Sequence, residues 1–332
     1  MTSTMTSTNT GLPRQTSELS IGTVERDELA QLVRRLTDAA PALVDDPGWQ
    51  ALAREWSCRM PAARLGRAVR AFRHDPGPDG AIVLRNLPVE PDLLPPTPNV
   101  PDSVERAATA PAALAVLLGG LLGTIVAFRD EKRGALVQNV VPVPSLASTQ
   151  SNGGSVPLEF HTENAFHPHR PDYIGLLCLR PAHEERVGTR ISSIRRALPL
   201  VGDADSAILR QPRFLTEAPP SFRSAGRRTP HAVLTGAPED PDICVDFHAT
   251  RPLDERAGEA LRQLREALYE VRSDVVLGSG DMVFVDNRIV VHGRVSFSPR
   301  YDGTDRWLHR VYVHADHRRS RQHRPGNGSV LI

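Results

Sequence analysis

The sequence predicts an α+β protein built on a double-stranded β-helix, that is, a jelly-roll core. Three observations carry this expectation. Helical patterns gather in the first third of the chain. From residue 123 onward the texture changes to many short apolar runs separated by polar and Gly-containing turns. One further long helical pattern, at 253–271, lies late among those runs.

In chain order, residues 24–40 place Leu29, Leu32, Val33 and Leu36 at the spacing of an amphipathic helix. A second helical stretch covers 49–72, with Pro61 as a break or first-turn residue. Residues 80–86 read as a short buried strand, and 88–101 form a Pro-rich connector. A third helix is expected over 103–122, with Ser103 as its N-cap before Glu105. Strands follow at 123–128, 135–143, 173–179, 189–194, 213–216, 231–235, 243–247, 282–285 and 307–313. Residues 145–156 are a polar loop, and 314–324, rich in Arg and His, read as a solvated C-terminal extension.

The 332 residues, 40% of them hydrophobic, allow one large core; we expect a single domain over 21–332 after a disordered, Ser/Thr-rich segment at 1–20. Forty basic and 39 acidic residues leave a net charge of +1, so no global field selects nucleic acid or an anionic membrane. Three sparse cysteines, Cys58, Cys178 and Cys244, form neither a disulfide framework nor a zinc ribbon. No apolar run is long enough to span a bilayer, and the N-terminus lacks the apolar stretch of a secretory signal. The expected setting is cytoplasmic, as a monomer or weak homo-oligomer with a small-molecule partner and neither nucleic acid nor membrane.

The candidate chemistry centres on Phe160-His161-Thr162-Glu163-Asn164. On an extended segment the side chains of His161 and Glu163 point to one side. They supply two thirds of a 2-His-1-carboxylate triad, the arrangement that holds non-haem Fe(II) and leaves positions open. His292, in Val290-Val291-His292-Gly293-Arg294, is the best third ligand. Thr162 points away, and Pro168 restricts convergence of His167 and His169, which read as local loop histidines. Arg306, fourteen residues past His292, offers the planar fork that meets a carboxylate bidentately.

The stretch Leu158-Glu159-Phe160-His161-Thr162-Glu163-Asn164-Ala165-Phe166-His167-Pro168, continuing to Arg180, closely resembles the clavaminate synthase-like group of Fe(II)/2-oxoglutarate oxygenases. The block from His292 to Arg310 resembles the same group, and the likeness runs from about 124 to 313. It implies the jelly-roll fold, iron held by His161, Glu163 and His292, 2-oxoglutarate as co-substrate with O2, and Arg306 on the far carboxylate of that co-substrate. By the same resemblance Arg310 meets a substrate carboxylate and Glu131 an ammonium group. Asn152 and Asp246 then contact the rest of the substrate.

One departure bears on specificity. Arginine hydroxylases of this group carry a second carboxylate two residues after the Asp246 position, where this chain has His248. An imidazole beside a guanidinium loses the paired charge, which favours an asparagine-like over a basic substrate. The expected activity is therefore hydroxylation, at the β-carbon, of a free polar L-amino acid, asparagine-like or basic, for specialised peptide or antibiotic biosynthesis. Two alternatives remain at this point. The same core could act on a modified or cyclised amino-acid precursor, by hydroxylation, desaturation or cyclisation. A non-enzymatic jelly-roll protein could instead hold a metal through the same three side chains.

Overall fold

A computed structural model describes residues 16–60, 63–184, 187–222 and 229–332. Two sheets organise it. The larger has nine strands among the described residues, and its central neighbours are Met282–Asp286, Tyr173–Arg180, Trp307–His314 and Thr124–Phe128. The smaller has four strands in the order Ser273–Val275, Thr189–Ser193, Val290–Arg294, Leu158–His161.

Alternation along Trp307–His314 divides the core. Trp307, Val311 and Val313 join a buried cluster with the helices, including Leu29, Val33, Leu114 and Leu118. Leu308 and Tyr312 point the other way, into a second cluster with Phe160, Ile191, Val290 and Val291 of the smaller sheet. A strand of period two thus serves a helix layer on one face and the inter-sheet interior on the other.

The helices form where their sequence signals lie. Thr23–Thr37 buries Leu29, Val33 and Leu36. Pro47–Cys58 starts at Asp46, whose carboxylate accepts the Trp49 N–H at 2.8 Å. Ala63–His74 follows, and Pro61 lies outside the described residues. Glu255–Glu270 is capped by Asp254 and buries Ala257, Ala260, Leu261, Leu264 and Leu268 at helical spacing.

Three expectations are corrected. The third helix is shorter, Ala110–Gly120, starting after Thr109 with Pro111 in its first turn. Ser103 does not cap it: Val104–Glu105 pairs with Val137–Val140, and the Ser103 hydroxyl accepts from the Asn139 amide at 2.9 Å. Residues 17–20, placed in a disordered terminal segment, form the strand Ser17–Ser20 parallel to Ala81–Arg85, and residues 1–15 lie outside the described ones. The C-terminal stretch is packed as well. Buried Arg324 donates to the His317 and Gly328 carbonyls, both at 2.6 Å, and Val330–Leu331 pairs with Thr124–Phe128.

Cys178 and Cys244 are buried, and burial pushes the Cys178 thiol up to about 12. Among the described residues no helix is long and apolar enough to cross a membrane.

Candidate active site

His161 ends the strand Leu158–His161 and stands opposite His292 in the antiparallel ladder with Val290–Arg294. Gly293 makes this approach possible, since a Cβ there would lie 2.5 Å from the Leu158 carbonyl oxygen. Glu163 follows on the turn after the first strand. One ligand atom from each of His161, Glu163 and His292 lies within 4.8 Å of the others.

Surrounding groups orient each of the three. The His161 Nδ1–H faces the Glu159 carbonyl at 2.9 Å, which leaves Nε2 for a metal. Asn287 clamps the Glu163 backbone: its Oδ1 accepts the Glu163 N–H at 2.8 Å, and its Nδ2 donates to the Glu163 carbonyl at 3.1 Å. The Glu163 carboxylate is split in function. Oε1 accepts from Arg310 at 3.0 Å and from the Tyr312 hydroxyl at 2.8 Å. Oε2 is buried, has no hydrogen-bond donor, and lies 3.3 Å from His292 Nε2.

An unsatisfied buried carboxylate oxygen between two imidazoles fits a divalent cation. The donor set of two nitrogens and one carboxylate is the one that suits non-haem iron. Protonation states agree with this use. Burial opposes the charge on Glu163, but Arg310 and the two histidines override it and hold the carboxyl below its usual range. Burial, with the neighbouring His161, lowers His292 and favours its neutral, ligating form.

Beside the triad, Arg310 is 2% exposed and its guanidinium is fully engaged. It pairs with Glu131 and Glu163, and donates to the amide oxygen of Gln138, its register partner. Asn152 sits with its amide oxygen toward Arg310, the orientation its neighbours require, at 2.6 and 3.2 Å. Burial opposes the Arg310 charge, yet Glu163, Tyr312 and Glu131 raise its pKa. Three of the predicted substrate residues, Arg310, Glu131 and Asn152, are therefore joined in one network with a triad carboxylate.

The remaining predicted residues fall at different depths. Arg306 is buried, and no carboxylate or carbonyl among the described residues is paired with it. Asp246 bridges to His161 in the backbone and is half-buried; its Oδ1 accepts the N–H groups of His248 at 2.8 Å and Ala249 at 3.1 Å. His248 itself is exposed, and nothing among the described contacts joins its imidazole to the triad. Thr162 is turned away, its hydroxyl accepting the Val245 N–H at 3.2 Å. His167 accepts the His169 N–H at 3.0 Å through Nδ1 and stands outside the metal-ligand group.

Sequence reading missed Tyr312, Gln138, Asn287 and Arg294. Tyr312 and Gln138 are readable only once strand register is known, because their neighbours come from distant segments.

Residues 79–312 match the family described as Taurine catabolism dioxygenase TauD, TfdA family. The chain belongs to this family. It is 46% identical over 324 residues to L-asparagine oxygenase of Streptomyces coelicolor, covering 97% of each chain. Clavaminate synthase 2 of Streptomyces clavuligerus is 35% identical, over 88% of this chain and 90% of that one. Among solved structures, asparagine oxygenase in complex with Fe(II), 2S,3S-3-hydroxyasparagine and succinate superposes with a TM-score of 0.91 at 46% identity, covering 95% of this chain and 98% of that one. The likeness to clavaminate synthase-like oxygenases expected from the motifs thus holds, and this TauD/TfdA member is an oxygenase.

Proposed function

We propose that the protein hydroxylates a free, polar L-amino acid of asparagine size at its β-carbon, using Fe(II) and 2-oxoglutarate. The observation that carries this is the network joining Glu163 of the triad to Arg310, Glu131 and Asn152. A zwitterionic amino acid has one cation and one anion. It can exchange the Arg310–Glu131 pair for two new ones, its carboxylate on Arg310 and its ammonium on Glu131, leaving no buried charge alone. That places its β-carbon beside the metal ligands. Asp246, half-buried next to His161, is the group we assign to the substrate's side-chain amide. Similarity to asparagine oxygenase supports the same choice.

His161, Glu163 and His292 hold the iron, with Tyr312 and Arg310 fixing the non-ligating oxygen of Glu163. Arg306 holds the far carboxylate of 2-oxoglutarate. When bound, iron, O2 and 2-oxoglutarate together supply the oxidation that inserts one oxygen atom into a C–H bond, with succinate and carbon dioxide as co-products. The chain's own task is to fix one C–H bond at that centre and exclude others. We read the two facing sheets as a double-stranded β-helix and the described chain from residue 17 onward as one domain. A metal-holding binding protein would have no use for a buried cation such as Arg306.

The test is a mass-spectrometric panel with Fe(II) and 2-oxoglutarate: L-asparagine, L-glutamine, L-lysine, L-ornithine and L-arginine. Coupled succinate and a hydroxylated product from asparagine support the reading. Turnover of only the basic amino acids would overturn the substrate class.

A further inference from the structure

We propose that Arg294 is a positioning residue that couples the co-substrate pocket to the loop carrying Asn152. The inference rests on the iron and 2-oxoglutarate reading above, and it concerns a side chain outside the triad and the carboxylate-binding arginines.

Arg294 ends the strand Val290–Arg294, opposite Thr189 and on the same side as His292, so it faces the space between the sheets. It is 5% exposed. Its Nη2 donates to the Gly154 carbonyl at 2.7 Å, and the Ser151 and Val156 carbonyls lie at 3.4 Å. The guanidinium also stacks on the Phe297 ring at 5.2 Å, and the Phe297 N–H donates to the Ser155 carbonyl at 3.0 Å.

These contacts grip one loop from both ends. At Gly154 the loop folds back so tightly that a Cβ would lie 1.9 Å from the Thr149 carbonyl oxygen. Asn152, between the gripped carbonyls of Ser151 and Gly154, reaches Arg310. Arg294 therefore sets the position of a residue it does not touch.

Its electrostatics tie the grip to the neighbouring pocket. The Arg294 Nε is buried without a partner, and no carboxylate among the described residues pairs with Arg294 or with Arg306. Arg294 lies close enough to Arg306 to feel its charge. Two like charges held close in a low-dielectric interior repel, and each favours the arrival of an anion. A dicarboxylate whose far end settles on Arg306 supplies the missing negative charge. It thereby secures Arg294 in place, and with it the loop.

Hydrogen–deuterium exchange of the 150–156 amides tests this in the metal-loaded protein under anaerobic conditions, with 2-oxoglutarate as the only added ligand and calorimetry reporting its binding. In the wild type 2-oxoglutarate slows exchange of this loop by about threefold or more. In Arg294→Met the loop exchanges fast whether or not 2-oxoglutarate is bound. Arg294→Gln, which keeps a donor for the Gly154 carbonyl but no charge, retains slow exchange and loses the response; it decides the matter should the Met variant fold poorly. A wild-type loop indifferent to bound 2-oxoglutarate, or a response that survives in both variants, overturns the coupling alone. Absence of any 2-oxoglutarate binding to the wild type overturns both this inference and the functional reading beneath it.

Discussion

His161 and His292 face each other across two antiparallel strands, their ring centroids 4.2 Å apart. Strand register, not proximity in sequence, brings them together, and Glu163 completes the group from the adjoining turn. Either His→Ala change is expected to lower Fe(II) affinity by about a hundredfold or more while leaving the sheets intact. Tyr312→Phe removes only the hydroxyl bond to Glu163 Oε1 and should cost about tenfold. Metal titration followed by circular dichroism checks both. A Tyr312→Phe protein with wild-type Fe(II) affinity would mean that this hydroxyl bond does not orient Glu163 for the metal.

Arg306 provides the co-substrate prediction. Removing a buried cation that binds a carboxylate by charge-assisted hydrogen bonds costs about 1.5–3 kcal/mol. Arg306→Met should therefore raise the KM for 2-oxoglutarate by roughly ten- to a hundredfold. Iron affinity should stay close to that of the wild type. Arg306→Lys keeps the charge but not the fork and should fall between them. Steady-state kinetics against 2-oxoglutarate at saturating amino acid gives the answer.

Recognition of the zwitterion makes a third prediction. Glu131→Gln leaves Arg310 paired with Glu163 but removes the anion proposed to meet the substrate ammonium. The KM for the amino acid should rise by about tenfold or more, with the KM for 2-oxoglutarate unchanged. N-acetyl-L-asparagine, which has no ammonium, should be a poor substrate for the wild type. A wild type that turns over the acetylated compound as readily as the free amino acid would contradict the exchange of ion pairs.

Much of this site was legible in the sequence because its chemistry is written locally. The His161–Glu163 spacing on an extended segment sets two ligands on one side. Arg306 was readable from the planar fork that a carboxylate calls for, whereas Arg310 came from the family resemblance alone. What the sequence did not show depends on partners far away along the chain. Gln138 meets Arg310 only through the pairing of their strands. Asn287 holds the Glu163 backbone across the fold. Helix boundaries erred for a related reason: Ser103 looks like a cap, but pairing of Val104–Glu105 with Val137–Val140 takes that segment into the sheet before a helix can start. The C-terminal Arg and His residues suggested a solvated tail, and only the contacts of Arg324 reveal that its charge is spent on carbonyls of its own segment.

Acid sensitivity follows from His309, on the helix-facing side of Trp307–His314. It is buried, and burial pulls its pKa from 6.5 to about 3 against a weak opposing contact with the Pro111 backbone. Below pH 6.5 the unfolded chain takes up a proton that the folded chain refuses. Stability from this group is thus complete above about pH 6.5 and is lost as pH falls from there toward 3, by up to about 1.4 kcal/mol per pH unit. His309→Leu should lose about 2 kcal/mol less than the wild type between pH 6.5 and 5, as read by urea unfolding. Parallel acid limbs in the two proteins would contradict a neutral, buried His309.

The measurement closest to the central claim is anaerobic assembly followed by one exposure to oxygen. Protein, Fe(II), 2-oxoglutarate and L-asparagine are combined, oxygen is admitted, and succinate and amino-acid products are quantified by mass spectrometry. The account predicts succinate and a product heavier by one oxygen atom in equal amounts, both lost in His292→Ala. Succinate formed without any oxidised amino acid, or a product that persists in His292→Ala, would contradict it.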